Sequence, residues 1–475
     1  MRLSDLTRID SEAVVTGFAI DHRKVTNGNI FGAFRGSRFD GESFVPQAVA
    51  HGAVAVVARP EALVEGAAHI ADTEPRRRFA QLAGAYYAPY PEVVIAVTGT
   101  NGKTSTVELA RQMWRILGHR SASIGTLGVT TADDQVKTGL TTPDIVTFLS
   151  NMAGLERMGI SHVAYEASSH GLDQFRSEGL PVRAAAFTNF SRDHLDYHPD
   201  MDSYFAAKMR LFDEVVDHDG AAVVWTGDPK SPDVIAHVEK RGLRLITVGP
   251  GAETIALAEQ VPTPLGQRLL LRYEGREITL MLPLIGAYQA NNVLTAAGLL
   301  LATGSDPADV LGAMGRVSPV RGRLERAVIS RTGAPVYVDY AHTPDALEAA
   351  IAALKPHVAK DQGGKLIIVF GAGGDRDKGK RGPMGAVAAR MSDVAIVTDD
   401  NPRTEDPASI RREVLNGAVG AREVGDRREA IAEAIRLAGT GDIVLVAGKG
   451  HETGQTIGDR VLPFDDALVA RECAA

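Results

Sequence analysis

The chain holds one cysteine, Cys473, in 475 residues. It therefore has no partner for an internal disulfide and no cysteine-based zinc site, which fits a reducing compartment. It also lacks a basic excess: 51 Lys and Arg stand against 59 Asp and Glu, a net charge of −8. That removes the electrostatic footprint of a nucleic-acid binder. No run approaches the ~18 apolar residues that cross a bilayer. The opening stretch, MRLSDLTRIDSEAVV, is charged throughout and has no signal-type apolar core. There is no NKxD stretch for guanine, no low-complexity tract and no short-period repeat. These absences leave a cytoplasmic protein that works on something diffusible.

Hydrophobic content of 44% and charged content of 23% are those of an ordinary globular chain. The length predicts about three domains, placed at 1–90, 91–320 and 321–475. The first holds short β-like runs, GNIFGAF and GAVAVVA, between Gly and Asp turns. A Tyr/Pro-rich join, YYAPYPE, precedes the strand VVIAVTGT, after which strand-like and helix-like segments alternate to about residue 320. The last section repeats a strand–loop–helix unit in PVYVDYAHTPDALEAAIAAL, KLIIVFGAGGDRDKGKRGPMGAVAARM and DVAIVTDDNPRTEDPASIRREVL, and ends with DIVLVAGKGHETGQ. Short apolar strands alternating with helices predict an α/β fold with mostly parallel sheets. Ligands in such sheets bind beyond the carboxyl ends of the strands. DYAH, GAGGDRD, DDNPR and GKGHE all fall there.

AVTGTNGKTSTVELARQMW sets Gly99, Gly102, Lys103 and Thr104 between a strand and a helix. Glycines let backbone N–H groups turn around phosphate oxygens, and the helix N-terminus adds partial positive charge. Lys103 would reach the β- and γ-phosphates and the Thr104 hydroxyl would bind Mg²⁺. The strict pattern wants glycine where Val97 stands, so the match is to the GKT end alone.

YEASSHGLDQFR and FTNFSRDHLDYHPDMDSYFAAKMRLF gather Glu166, His170, Asp193, His194, Asp196 and His198. A carboxylate and an imidazole suit Mg²⁺ or Mn²⁺ beside phosphates, although hard cations take few protein ligands. By spacing alone these residues serve equally as structural hydrogen-bonders. Lys208 lies among apolar residues on a helical stretch, where most lysines snorkel to solvent. A desolvated lysine instead has a lowered pKa and an amine that reacts with CO₂. TDDNPRTEDP reads as a turn and helix start, with Arg403 free to pair with Asp399, Glu405 or Asp406.

TGTNGKT, EASSHGLDQFR, TNFSRDHLDYH, YFAAKMRLF, PVRGRLE, DYAHTPDAL, GAGGDRDKGKRGPMG, DDNPRTEDP and AGKGHE occur in one order, from about Asp21 to about Gln455. In that order they resemble the Mur ligases, ATP-dependent amide ligases of the peptidoglycan stem peptide. The resemblance is greatest to the branch that adds meso-diaminopimelate to UDP-N-acetylmuramoyl-L-alanyl-D-glutamate. It implies an N-terminal domain for the uridine nucleotide, a central P-loop-type ATPase and a C-terminal Rossmann-like domain, in a monomer. It also implies that ATP phosphorylates the γ-carboxylate of the D-glutamyl residue and that an incoming amine attacks the acyl phosphate.

Carried over to this chain, the loop Gly99, Thr100, Asn101, Gly102, Lys103, Thr104 and Ser105 holds ATP. Thr104, Glu166 and His194 hold Mg²⁺, and Lys208 carries a CO₂-derived carbamate that helps to position the metal. Asn292, Arg323 and Asp339 contact ATP, with His342 beside them. Ile20, His22, Thr141, Thr142, Ser168, Gln174 and Arg176 contact the UDP-muramoyl peptide. Two departures stand out. His22 replaces the serine of the usual Asp-Ser-Arg, near an unusual Ser37, Arg38 and Phe39, and Gln289 stands where asparagine is usual.

Diaminopimelate differs from lysine by one carboxylate, and an Arg fork binds carboxylate bidentately. The resemblance assigns Arg376 and Arg403 to it, with Asp400, Asn401, Pro402, Gly448 and Glu452 around its other groups. Stranding a desolvated Arg with lysine would cost ~2–5 kcal/mol, roughly 30- to several-thousand-fold. Three alternatives remain at this point: a lysine-adding ligase, a folyl-polyglutamate ligase, and a nucleotide-binding regulator without catalysis. DNPR and the long N-terminal section argue against the first two, and Lys103, Glu166, His194 and Lys208 together argue against the third.

Overall fold

The computed structural model describes residues 1–36, 39–136, 139–195, 197–263 and 266–475. Ser37, Arg38 and Asp196, singled out above, lie outside the described residues. The chain divides into two units, one of residues 1–256 with 294–313 and one of residues 257–293 with 314–475.

In the first unit, short apolar runs become a four-stranded parallel sheet of β1 (Gly17–Ala19), β2 (Asn29–Gly32), β3 (Ala55–Ala58) and β4 (Ala68–Ala71), in that order. Helix Pro75–Tyr87 lays Phe79 edge-on against Phe18 at 5.2 Å. A larger sheet follows from β5 (Val93–Thr98), β6 (Ser121–Gly125), β7 (Gly128–Thr130), β8 (Gln135–Val136), β9 (His162–Glu166), β10 (Ala184–Phe187), β11 (Ala221–Trp225) and β12 (Arg244–Gly249). Its order in this unit is β12-β11-β10-β5-β9-β6-β7-β8, parallel up to β6 and antiparallel at the β7–β8 edge. β5 lies between β10 and β9, so the loop that leaves it emerges at the middle of the sheet. β13 (Ile255–Thr263) starts beside β12, pairing Val248 with Ile255.

The second unit opens with an antiparallel hairpin, β14 (Gly266–Tyr273) and β15 (Arg276–Leu282). It interrupts the strand–helix alternation expected to residue 320. Glu274 and Gly275 both have positive φ, +48° and +73°; two such residues make the hairpin turn whose twist matches the strands. The C-terminal sheet joins β16 (Glu325–Ile329), β17 (Pro335–Asp339), β18 (Leu366–Phe370), β19 (Val394–Val397), β20 (Arg422–Glu423) and β21 (Ile443–Ala447) in the order β16-β17-β21-β18-β19-β20. All pairs are parallel except β16 with β17.

Successive side chains of a strand point to opposite faces, and β18 shows why an unbroken apolar run is needed here. Leu366, Ile368 and Phe370 pack with helices Pro344–Leu354, Arg381–Met391 and Pro407–Leu415, whereas Ile367 and Val369 pack with helices Arg427–Leu437 and Asp466–Ala474. Burial of each such side chain contributes about 1.5–3 kcal/mol. Because the strands run parallel, DYAH, GAGG, DDNPR and GKGHE all leave at one edge, as the sequence predicts. A last hairpin, β22 (Gly454–Ile457) with β23 (Arg460–Pro463), follows GKGHE.

Candidate active site

In the first unit the phosphate loop joins β5 to helix Lys103–Ile116, whose N-cap, Gly102, is left-handed at φ +85°. Gly99 has φ +142°, and a Cβ there would collide with the Thr188 hydroxyl. That hydroxyl is the loop's brace: it donates to Thr98 O at 3.2 Å and Asn101 O at 2.6 Å. The Asn189 side chain takes Asn101 N at 2.8 Å and returns a bond to Asn101 O at 3.1 Å. Lys103 Nζ lies within the loop, donating to Gly99 O and Thr100 O, both at 2.8 Å. Thr104 and Ser105 are buried beneath it.

Lys208 meets the same loop from helix Met201–Arg210. Only 1% exposed, it donates Nζ to Gly99 O at 2.8 Å and lies 4.4 Å from the centre of the Tyr204 ring. The snorkelling expected of a helical lysine does not occur. Burial, and next the positive charge of Lys103, push its pKa well below the usual lysine range, against a weaker pull from Asp193. The side chain is therefore biased toward the neutral, nucleophilic amine.

Glu166 ends β9 and is 1% exposed. Thr126 N donates to its Oε1 at 2.7 Å and the Thr126 hydroxyl to Oε2 at 3.3 Å. A Cβ on Gly125 would stand 2.1 Å from Oε1, so the carboxylate sits in a cradle that only glycine leaves open. His194 is half-buried with φ +55°, and its pKa falls to about 4. Burial is the main cause; Asp193 opposes it, while Lys103, His170 and Lys208 add to it. The imidazole is thus neutral at pH 7, as a ligand must be. Among the described residues no three His, Cys, Asp or Glu side chains form a metal cage. A hydroxyl, one carboxylate and one imidazole nevertheless fit Mg²⁺, which keeps several waters and few protein ligands.

Around this centre Thr142 Oγ1 donates to Glu166 O at 2.8 Å and lies 2.9 Å from Ser168 Oγ. Arg176 Nη1 donates to Thr142 O at 3.1 Å, and Gln174 orients that guanidinium with its Oε1 at 2.6 Å from Nη2. Thr141 reaches Thr126 at 3.1 Å, completing a strap from Thr141 to Glu166. Near the N-terminus, His22 stacks flat on Phe44, centroids 4.4 Å and planes 6° apart. Asp21 clamps Arg23 through two bonds, which take its pKa to about 2. Ile20 and Phe39 are exposed.

In the second unit, Asn292 Nδ2 donates to Gln289 Oε1 at 3.2 Å, and Gln289 Nε2 donates to Arg323 O at 3.2 Å. The unusual glutamine is therefore a buried strut between two expected nucleotide residues. The Arg323 guanidinium lies over the Tyr340 ring at 4.5 Å. Asp339 accepts from Leu324 N and Ala341 N at 2.7 and 2.8 Å; burial raises its pKa against the pull of Arg323. Desolvation lowers the pKa of His342, whose Nδ1 lies 2.9 Å from Tyr340 O.

DDNPR lies beyond β19. The acids once available to Arg403 are engaged elsewhere: Asp399 with Arg411, Glu405 with Arg381 and Lys378, and Asp406 as N-cap of helix Pro407–Leu415. The salt-bridge reading of Arg403 is therefore wrong. Among the described residues its side chain bonds only to carbonyls, Gly374 O at 2.7 Å and Asn401 O at 3.5 Å. Its backbone is left-handed, φ +52°, and β22–β23 holds it there through Arg403 N to Thr456 O at 3.0 Å and Gly458 N to Arg403 O at 2.7 Å. Asp400, Asn401 and Pro402 are buried, Gly448 lies against Asp400, and Arg376 is exposed nearby.

Three family models match the chain in tandem: the Mur ligase family catalytic domain over residues 14–97, the Mur ligase middle domain over 97–300 and the Mur ligase glutamate ligase domain over 322–450. The chain belongs to the Mur ligase family. A UDP-N-acetylmuramoyl-L-alanyl-D-glutamate–2,6-diaminopimelate ligase of Zymomonas mobilis is 59% identical over 462 residues, 96% of this chain and 94% of that protein. Its namesake in Caulobacter vibrioides is 48% identical over 475 residues, covering 98% and 97%. A solved structure of a ligase of the same name is 31% identical, with a TM-score of 0.74 over 100% of this chain and 98% of that one. Mur ligases are ATP-dependent enzymes that form amide bonds, and this chain is one of them.

For this Mur ligase, sequence reasoning missed the residues that act through others. Thr126 and Gly125 hold Glu166, Thr188 and Asn189 brace the phosphate loop, and Gln289 links Asn292 to Arg323. Thr188 and Asn189 lie inside the TNFSRDH motif, which was the available signal. Thr126 and Gly125 carried none, because their partner is distant in sequence.

Proposed function

We propose that this Mur ligase adds meso-diaminopimelate to UDP-N-acetylmuramoyl-L-alanyl-D-glutamate in the cytoplasm, as a monomer, through an acyl phosphate. The observation that carries the reading is Arg403: its half-buried guanidinium is aimed by carbonyls and, among the described residues, forms no salt bridge, with only the longer-range field of Asp375 acting on it. A free carboxylate on the amino acid is the natural partner. The names of the relatives point the same way.

In this reading, residues 1–90 hold the uridine end, 91–320 the ATP and 321–475 the amino acid. The amides of Gly99 to Ser105 and Lys103 bind the ATP phosphates, with Asn292, Arg323 and Asp339 also toward the nucleotide. Thr104, Glu166 and His194 would hold Mg²⁺, which when bound neutralises phosphate charge. Thr141, Thr142, Ser168, Gln174 and Arg176 orient the muramoyl dipeptide, with Ile20 and His22 toward the uridine. Its γ-carboxylate takes the phosphoryl group; the amine then displaces phosphate and releases a proton as the amide forms. In its neutral form the Lys208 amine adds CO₂ and loses a proton, giving a carbamate whose charge is negative where an ammonium would repel the metal. Arg376 and Arg403 bind the distal carboxylate, while Asp400, Asn401, Pro402, Gly448 and Glu452 line the rest.

Phosphate release, followed with ATP, Mg²⁺, the UDP-muramoyl dipeptide and each candidate amino acid, tests this. Release should require all four components together, with diaminopimelate far above L-lysine. Equal turnover with L-lysine would overturn the specificity and leave the ligase.

A further inference from the structure

Behind the DDNPR turn lies a lysine that no step above uses. Lys449 follows β21 and is 0% exposed, a rare state for a lysine. Gly448 and Gly450 flank it with φ of +112° and +52°. A Cβ on the first would stand 2.6 Å from Asp400 Oδ2, and one on the second 2.7 Å from Tyr340 Cβ. The chain can therefore bend tightly on both sides of Lys449 and turn its side chain inward. There Nζ donates to Asn401 Oδ1 and to Glu452 Oε2, each at 3.0 Å.

The pair it holds is locked further. Asn401 Oδ1 also accepts from Thr456 N at 2.9 Å, which leaves Asn401 Nδ2 to donate to Glu452 Oε2 at 2.8 Å. Glu452 Oε2 thus receives two donors, and Oε1 receives none within the described chain. The Glu452 side chain is 32% exposed, so a group from solvent can reach this carboxylate. Carboxylate oxygens accept only, so the group that completes Oε1 is a donor; a ligand ammonium gives the stronger, charge-assisted bond.

We infer that Lys449 is a positioning residue for amino-acid selection: it fixes Asn401 and Glu452 so that Glu452 Oε1 receives an ammonium of the incoming amino acid. The inference rests on the function proposed above. Arg403 reads the carboxylate of the substrate, and the Lys449–Asn401–Glu452 triad sets where its amine must lie. A buried charge held this way also orders the site rather than merely filling space, since removing one partner strands the others.

The test uses the full chain and steady-state phosphate release. Lys449→Met should raise the KM for diaminopimelate about tenfold or more, a loss on the scale of one charge-assisted hydrogen bond. The KM values for ATP and the UDP-muramoyl dipeptide should stay within about twofold. Lys449→Met with Glu452→Gln should show no more KM loss than Glu452→Gln alone, because Lys449 acts through Glu452. Equal rises in all three KM values, or additive losses in the double variant, would overturn the proposal. Should Lys449→Met fail to fold, a crystal structure of the wild-type chain with diaminopimelate decides: the ammonium belongs on Oε1 with Lys449 still on Oε2. Ligand contact to Lys449 itself, or an ammonium on Oε2, would overturn it. If the wild-type chain releases no phosphate with diaminopimelate, the proposed function fails instead.

Discussion

Lys208 is the clearest case of a single residue whose environment reverses its usual behaviour. The apolar neighbours that suggested a snorkelling lysine are real, but its Nζ is buried against Gly99 O near the positive charge of Lys103. Replacement by alanine should lower kcat by roughly 10²- to 10³-fold, the usual cost of one electrostatic group at a phosphoryl-transfer centre. Added carbonate or small carboxylates should restore part of it; unchanged turnover in Lys208→Ala would rule the carbamate out. Arg403 differs in kind, since what matters is that it forms no salt bridge among the described residues. Arg403→Lys keeps the charge and loses the fork. It should raise the KM for diaminopimelate roughly 10- to 100-fold, on the scale of a charged hydrogen bond of ~1.5–3 kcal/mol, with the KM for ATP nearly unchanged. An equal effect on both would indicate a folding defect.

At the scale of elements, the loop after β5 depends on contacts with the segment after β10. Thr188 and Asn189 hold the loop's carbonyls and amide, and Gly99 passes against the Thr188 hydroxyl. Gly99→Ala should therefore move the loop rather than unfold the sheet. The expected result is a KM for ATP raised about fivefold or more, from ~1–3 kcal/mol of backbone strain, with far-UV circular dichroism unchanged. The parallel strands, their helices and the polar exits of β17, β18, β19 and β21 were legible in the sequence, because continuous apolar runs and turn chemistry are local signals. The β14–β15 hairpin was less so: β15 alternates in burial and reads weakly beside the continuous runs. Gln289 looked like a departure from a motif; only the fold shows that its amide joins Asn292 to the Arg323 carbonyl.

For the whole molecule, histidine titration gives a stability profile. His162 and His194 have pKa values lowered to about 4, and burial lowers His342 and His357 as well. Unfolded histidine titrates near 6.5, so the unfolded state binds more protons between pH 6.5 and 4. The contribution of His162 and His194 is complete above pH 6.5 and is lost as pH falls toward 4. Buried carboxyls with raised pKa, Asp339 and Glu178 among them, act in the opposite sense. The difference between variants isolates the effect: the drop in melting temperature from pH 7 to pH 5 should be smaller in His162→Gln than in the wild type. An identical drop in both would show that His162 titrates normally in the fold.

By itself the sequence determined the α/β class, the phosphate loop and the place of each polar cluster, because hydrophobic period and turn composition act over a few residues. Its motif order also determined the family. Tertiary structure alone decided what the charged residues of those motifs are. It buried Lys208 and so lowered its pKa, gave Glu166 its cradle at Gly125, and tied Lys449 beneath Asn401 and Glu452. It also paired Asp399 and Glu405 with other cations and so left Arg403 without a salt bridge among the described residues. Desolvation and charge pairing are sums over neighbours brought together from distant parts of the chain, and no local pattern contains them.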